Sequence, residues 1–130
     1  MDCSDCGQPV VQFAVHDEFR ELLPGDEPGA GICTHCLAFY PVDDPPVEMP
    51  DFQRISDALP SNPDAALPMV LALGLLDQFA LYRSEIATLF DHVERAGTDP
   101  MLVVDRLSSD ESIDSHVDLA GRRRQLEQLI

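Results

Sequence analysis

The chain has 130 residues, of which 45% are hydrophobic, enough for a packed core and too many for a disordered tail. Twenty-four acidic residues stand against 8 basic ones, a net charge of −16. A field of that sign repels nucleic-acid backbone and anionic membrane surface, so a protein partner is expected rather than either of these.

All 8 basic residues are arginine, lysine is absent, and aspartate outnumbers glutamate 16 to 8. Such a surface suits a salt-loaded cytoplasm, where screening shortens like-charge repulsion to about 3 Å at 1 M salt. The chain opens Met1-Asp2-Cys3 with no basic, apolar leader. Its longest nearly unbroken apolar run, Ala65 to Leu76, is shorter than a bilayer span and carries Pro68 and Gly74. The cytoplasm is therefore the expected compartment.

Cys3 and Cys6 form a first C-x2-C pair, followed by Gly7, and Cys33 and Cys36 form a second. A two-residue spacer lets both sulfurs of one turn face a common point, so two such turns make a four-thiolate site for one structural Zn2+. In a reducing compartment, paired cysteines are read as metal ligands before disulfides. Gly7 supplies the positive φ that such a turn needs. His35, inside the second pair, is a lesser candidate ligand. Iron is the alternative ion for the same sulfurs.

Between the pairs, alternation over residues 10–15 predicts a strand. Asp17 is placed to cap a short helix, Glu18 to Leu23, stopped by Pro24 and Gly25. Residues 24–31 read as a turn-rich loop, and residues 37–40 as a second strand. Residues 41–50 contain four prolines and predict a stiff connector. A short helix over Asp51 to Leu59 follows.

Helical periodicity then takes over. Asp64 to about Ala80 is apolar nearly all round and predicts a central buried helix, with Pro68 fitting only in a first turn. Ile86, Leu89, Phe90 and Val93 mark the inner stripe of a helix over residues 84–96, stopped by Gly97. Asp99 and Pro100 are a cap and first residue for a helix to about Leu107. A last helix is expected from about Val117 to Leu129. Its Arg122, Arg123 and Arg124 are read as surface charges, with Asp118–Arg122 and Arg123–Glu127 as i,i+4 pairs. His16, His92 and His116 each have a nearby carboxylate, but in so acidic a chain that carries no catalytic meaning.

The expected architecture is α+β: an N-terminal zinc ribbon of short antiparallel strands and two C-x2-C knuckles, residues 1–48, then a small C-terminal helical bundle, residues 49–130. The connector carries little to transmit packing, so the bundle is expected to keep a core of its own and to outlast metal removal.

The motifs M-D-C-x-D-C-G at the start, C-T-x-C-L at the second pair, L-A-L-G-L-L-D (71–77), E-R-A-G-x-D-P (94–100) and R-R-x-Q-L-E-Q-L (122–129) resemble an uncharacterised family of small haloarchaeal zinc-ribbon proteins. The resemblance covers most of the chain. It implies the zinc site and a halophilic host, and no activity. The functional expectation is a non-catalytic, metal-stabilised module that binds a protein partner. The alternative is an accessory factor of transcription or translation. No catalytic constellation is expected.

Overall fold

In the computed structural model of the chain, which describes residues 1–129, alternation gives the first strand its inner face. β1, Val10–Ala14, buries Val11 and Phe13 and leaves Gln12 and Ala14 half-exposed. It pairs antiparallel with β2, Gly29–Cys33, setting Val10 opposite Cys33 and Ala14 opposite Gly29. β2 pairs antiparallel in turn with β3, Phe39–Val42, and the sheet order is β1-β2-β3. The loop expected over residues 24–31 therefore ends early. Gly29 and Gly31 read as turn residues, but they serve close approach in the middle strand. A Cβ at Gly31 would lie 2.7 Å from Val10 Cγ1, and one at Gly29 would collide with Pro45.

The short helix α1 spans Asp17–Arg20 and ends before Leu23. Asp17 lies inside it rather than capping it, and its carboxylate pairs with Arg20 at 3.4 Å. Instead of one helix over residues 51–59 there is a single 3-10 turn, Phe52–Arg54, capped by Asp51. The buried helix α2 runs Pro63–Leu75, capped by Asn62, and closes in a 3-10 turn at Leu76–Gln78. Pro68 lies in the second turn of α2, not the first. The carbonyl it leaves without a helical donor is that of Asp64, an exposed residue at the helix start.

α3, Arg83–Arg95, packs on α2 and completely buries Ile86, Leu89, Phe90 and Val93, the stripe read from its periodicity. α4, Pro100–Ser108, begins at Asp99, whose carboxylate accepts from the N–H groups of Met101 and Leu102. α5, Leu119–Leu126, starts later than expected because Asp118 caps it through the Gly121 N–H, and it also ends before Leu129. Arg123 pairs with Glu127 as expected and also reaches Asp105 of α4. Arg122 bonds Gln125 instead of Asp118. Among the described residues no helix is long and apolar enough to cross a membrane.

One apolar core joins residues on both sides of the connector. Val11, Phe13 and Ile32 of the sheet belong to the same cluster as Met69, Val70 and Phe90 of the helices. Phe52, just after the connector, meets Phe13 edge-on at 5.2 Å. Met49 packs on the cluster from within the connector. The expectation of separate cores is thus corrected. The prolines stiffen residues 41–50, but the apolar side chains between and beside them carry packing across.

Gly74 marks the tightest part of this junction, because a Cβ there would collide with the ring of Phe39. Alanine favours a helix interior by about 1 kcal/mol over glycine. Overpacking at the ring costs roughly 1–3 kcal/mol. Gly74→Ala is therefore expected to lower the thermal midpoint despite its better propensity. A raised midpoint in a melting experiment would contradict the packing of β3 on α2.

Candidate metal centre

The two cysteine turns are local copies of each other. In the first, Cys3 N–H donates to the Gln8 carbonyl at 2.8 Å; in the second, Cys33 N–H donates to the Ala38 carbonyl at 2.9 Å. Asp5 N–H points at Cys3 Sγ and His35 N–H at Cys33 Sγ, both at 3.4 Å. The residue after each second cysteine takes a left-handed conformation: Gly7 at φ 78° and Leu37 at φ 62°. Glycine reaches that region freely, whereas leucine does so under strain. Leu37 is buried in the main core.

Each turn is also tied to the chain that follows the other. Ser4 in the first turn bonds the Tyr40 hydroxyl on β3, at 3.1 Å through its own hydroxyl. Thr34 in the second bonds the Pro9 carbonyl through both its N–H and its hydroxyl. The crossed bonds bring the turns face to face. Cys3, Cys6, Cys33 and Cys36 then present four sulfurs all within 4.8 Å of one another.

Those sulfurs fit a single metal ion. The Cys3–Cys36, Cys6–Cys33 and Cys6–Cys36 separations are 3.6, 3.4 and 3.7 Å. A tetrahedron with about 2.3 Å metal–sulfur bonds has edges of about 3.8 Å. A disulfide needs about 2.05 Å. Cys3, Cys33 and Cys36 are buried, while Cys6 is exposed. All four residues singled out from spacing are brought together, positioned to coordinate one metal ion.

The electrostatics are those of crowded thiols. A hydrogen bond from the Tyr40 hydroxyl, 3.1 Å from Cys3 Sγ, brings that thiol down to about 6 against the opposing effect of burial. Burial, first of all, pushes Cys36 up to about 12. Sulfurs this close share their negative charge readily only around a cation.

His35 is not turned to the metal centre. Its Nδ1–H donates to the Ser112 carbonyl at 2.8 Å, and its own carbonyl accepts from Asp114 N–H at 2.9 Å. His116 grips the same turn, donating to the Cys36 carbonyl from its backbone N–H and from Nδ1–H, both at 3.0 Å. Residues 112–116 thus clamp the second turn from the helical side. No pattern in the sequence marks this role. Tyr40 and the Leu37 conformation were likewise missed, although Leu37 occupies the position that Gly7 marks in the first copy.

The other two histidines lie away from the sulfurs. His16 stacks on Phe19, and Phe19 meets His92 edge-on at 5.0 Å. His116 lies nearer Asp77, at 4.0 Å, than the sequence neighbour Asp118 would suggest.

The clamp is itself anchored. Buried Ser56 donates to Asp110 at 2.5 Å, and Asp110 accepts from both the N–H and the hydroxyl of Ser112. These bonds, Ser56 first, hold the Asp110 carboxyl below its usual range. Ser56→Ala and Asp110→Asn should each lower the thermal midpoint. In a double-mutant cycle they should couple by about 0.5–3 kcal/mol. Strict additivity would show that the two groups do not act as one unit.

The fold and centre define a small α+β protein: a three-stranded antiparallel sheet, helices, and four clustered cysteines able to hold one metal ion. The chain belongs to DUF6276, a family of unknown function, whose model matches residues 2–130. No curated protein and no solved structure gives a significant match to the chain.

Proposed function

We propose that this protein is a non-catalytic, zinc-stapled interaction module of a salt-adapted cytoplasm. Residues 1–48 form a zinc ribbon, and residues 49–130 a helical bundle that works with it as one unit. The observation that carries this reading is the convergence of four sulfurs from two matched, cross-tied turns. Four thiolates fill a tetrahedral shell and leave no open position for water or substrate, so the metal's work is structural. Zinc is the ordinary ion of such paired C-x2-C turns, and iron is its competitor. The acidic surface favours a protein partner over nucleic acid.

Metal analysis of untagged protein should give one zinc per chain, and Cys33→Ser should lose it. Visible absorption from iron–thiolate bonds would replace zinc in this reading. Structural zinc contributes roughly 10–16 kcal/mol in comparable small sites. Because the sheet and helices share a core, chelation should melt both in one transition, followed by circular dichroism. Helices that survive chelation unchanged would mean that the shared core holds without the metal. Affinity capture from the native host at native salt tests the interaction role, and repeated recovery of no protein would count against it.

The salt-adapted setting has its own test. Sixteen excess negative charges repel one another, and the repulsion shrinks with the Debye length. The thermal midpoint should rise steeply from low salt to molar KCl. A flat profile would remove the physical basis for a halophilic setting.

A further inference from the structure

Between β3, the segment after α1 and the end of α2 lies a cavity of about 420 Å³, within the range of natural ligand sites. Leu23, Ala38, Phe39 and Leu75 are among the residues that line it. Three carboxylates also line it, each from a different part of the chain: Asp5 from the first cysteine turn, Glu27 from the loop before β2, and Asp77 from the turn that ends α2. Two side chains able to carry positive charge join the lining: His116, whose Nε2 lies 4.0 Å from Asp77, and Arg20. Arg20 is already committed, with Nε donating to the Val15 carbonyl at 3.3 Å and a terminal nitrogen pairing with Asp17. Acidic residues therefore outnumber basic ones in a lining that also holds apolar residues.

We propose that this cleft receives an arginine side chain from an extended segment of a partner protein. The inference rests on reading the chain as an interaction module and names the chemistry of its partner. A guanidinium has five donors in a flat fork, so it can be shared by carboxylates that arrive from separate segments. Its aliphatic stem and the neighbouring side chains of a peptide would cover Leu23, Phe39 and Leu75. A free small cation brings no such surface. The peptide does not add as a fourth strand, because Pro41 sits in the edge strand β3 and offers no N–H. Recognition therefore runs through side chains. It also tolerates salt, because burial of the stem and a desolvated ion pair are screened less than surface charge.

The test uses full-length, metal-loaded protein and the peptide acetyl-Ala-Leu-Arg-Leu-Ala-amide, followed by two-dimensional amide NMR at the salt that keeps the protein folded. Saturable shifts are expected in residues 23–29, 39–41 and 74–78. The citrulline peptide, of the same shape without the charge, should bind at least tenfold more weakly. So should the Glu27→Gln/Asp77→Asn variant toward the arginine peptide. Glu94→Gln/Glu111→Gln removes the same charge elsewhere on the surface and should leave the affinity unchanged. Zinc content and thermal midpoint of each variant confirm that it is folded.

Equal weakening in both double variants would reduce the effect to general charge attraction and overturn the site. Agmatine binding as tightly as the peptide would overturn the partner in favour of a free cation. Absence of saturable shifts would overturn the proposal outright. Failure of the cleft is separable from failure of the module reading. A partner captured from the host whose binding ignores Glu27→Gln/Asp77→Asn sinks the cleft and leaves the module standing.

Discussion

Four sulfurs must meet at one point, and both cysteine turns are bent to allow it. The strands beside them have only four or five residues each, too short to hold such a site by pairing alone. The sheet instead works as a spacer. β1 follows the first turn and β2 leads into the second, and their register puts Val10 opposite Cys33, so pairing the strands aligns the turns. The strain at Leu37, of order 1 kcal/mol, is small against the bonding it permits. Sheet and cysteine cluster are therefore coupled: the sheet brings the turns together, and an ion bound by the four sulfurs would tie the two turns to each other.

The inner face of the sheet is held by the helices. Phe13 and Phe39 enter the core from strands on either side of β2, and Phe52 and Gly74 are shaped to receive them. The second cysteine turn is also gripped by residues 112–116, through His35 and His116. The helical half thus reaches the metal centre by two routes, through apolar packing beneath the sheet and through hydrogen bonds above it. Loosening either route bears on a turn that supplies two of the four sulfurs. A connector rich in proline does not isolate the halves when contacts far apart in sequence do the coupling.

What the sequence made legible follows from which signals are local. The cysteine pairs declared their geometry through spacing, and the α3 stripe declared its buried face through period. Asp99 announced the start of α4 because a cap acts within three residues. The failures involve partners distant in the chain. Gly29 and Gly31 read locally as turn residues, since nothing nearby in the chain shows that Pro45 and Val10 press against them. His35 resembled a lesser ligand because Ser112 lies far along the sequence. Helical spacing pairs Asp118 with Arg122, while in the fold the same carboxylate accepts from a backbone N–H at the helix start. Local rules named the groups; tertiary contacts decided which partner each would take.

β3 links these themes. Its Tyr40 hydroxyl bonds Cys3 and Ser4 at the metal centre, while Phe39 and Pro41 line the acidic cleft. Asp5, between two cysteines, and His116, bonded to the Cys36 carbonyl, also line that cleft. The wall of the cleft is therefore fixed by the same bonds that fix the sulfurs. A closed four-thiolate site offers no chemistry at the metal. It can still determine a surface, because an ordered wall presents its charges without the entropy loss a mobile loop would incur on binding. In a chain with so large an excess of carboxylates, charge alone distinguishes few places on the surface. A concave lining of apolar residues, in a wall shared with the cysteine cluster, distinguishes this one.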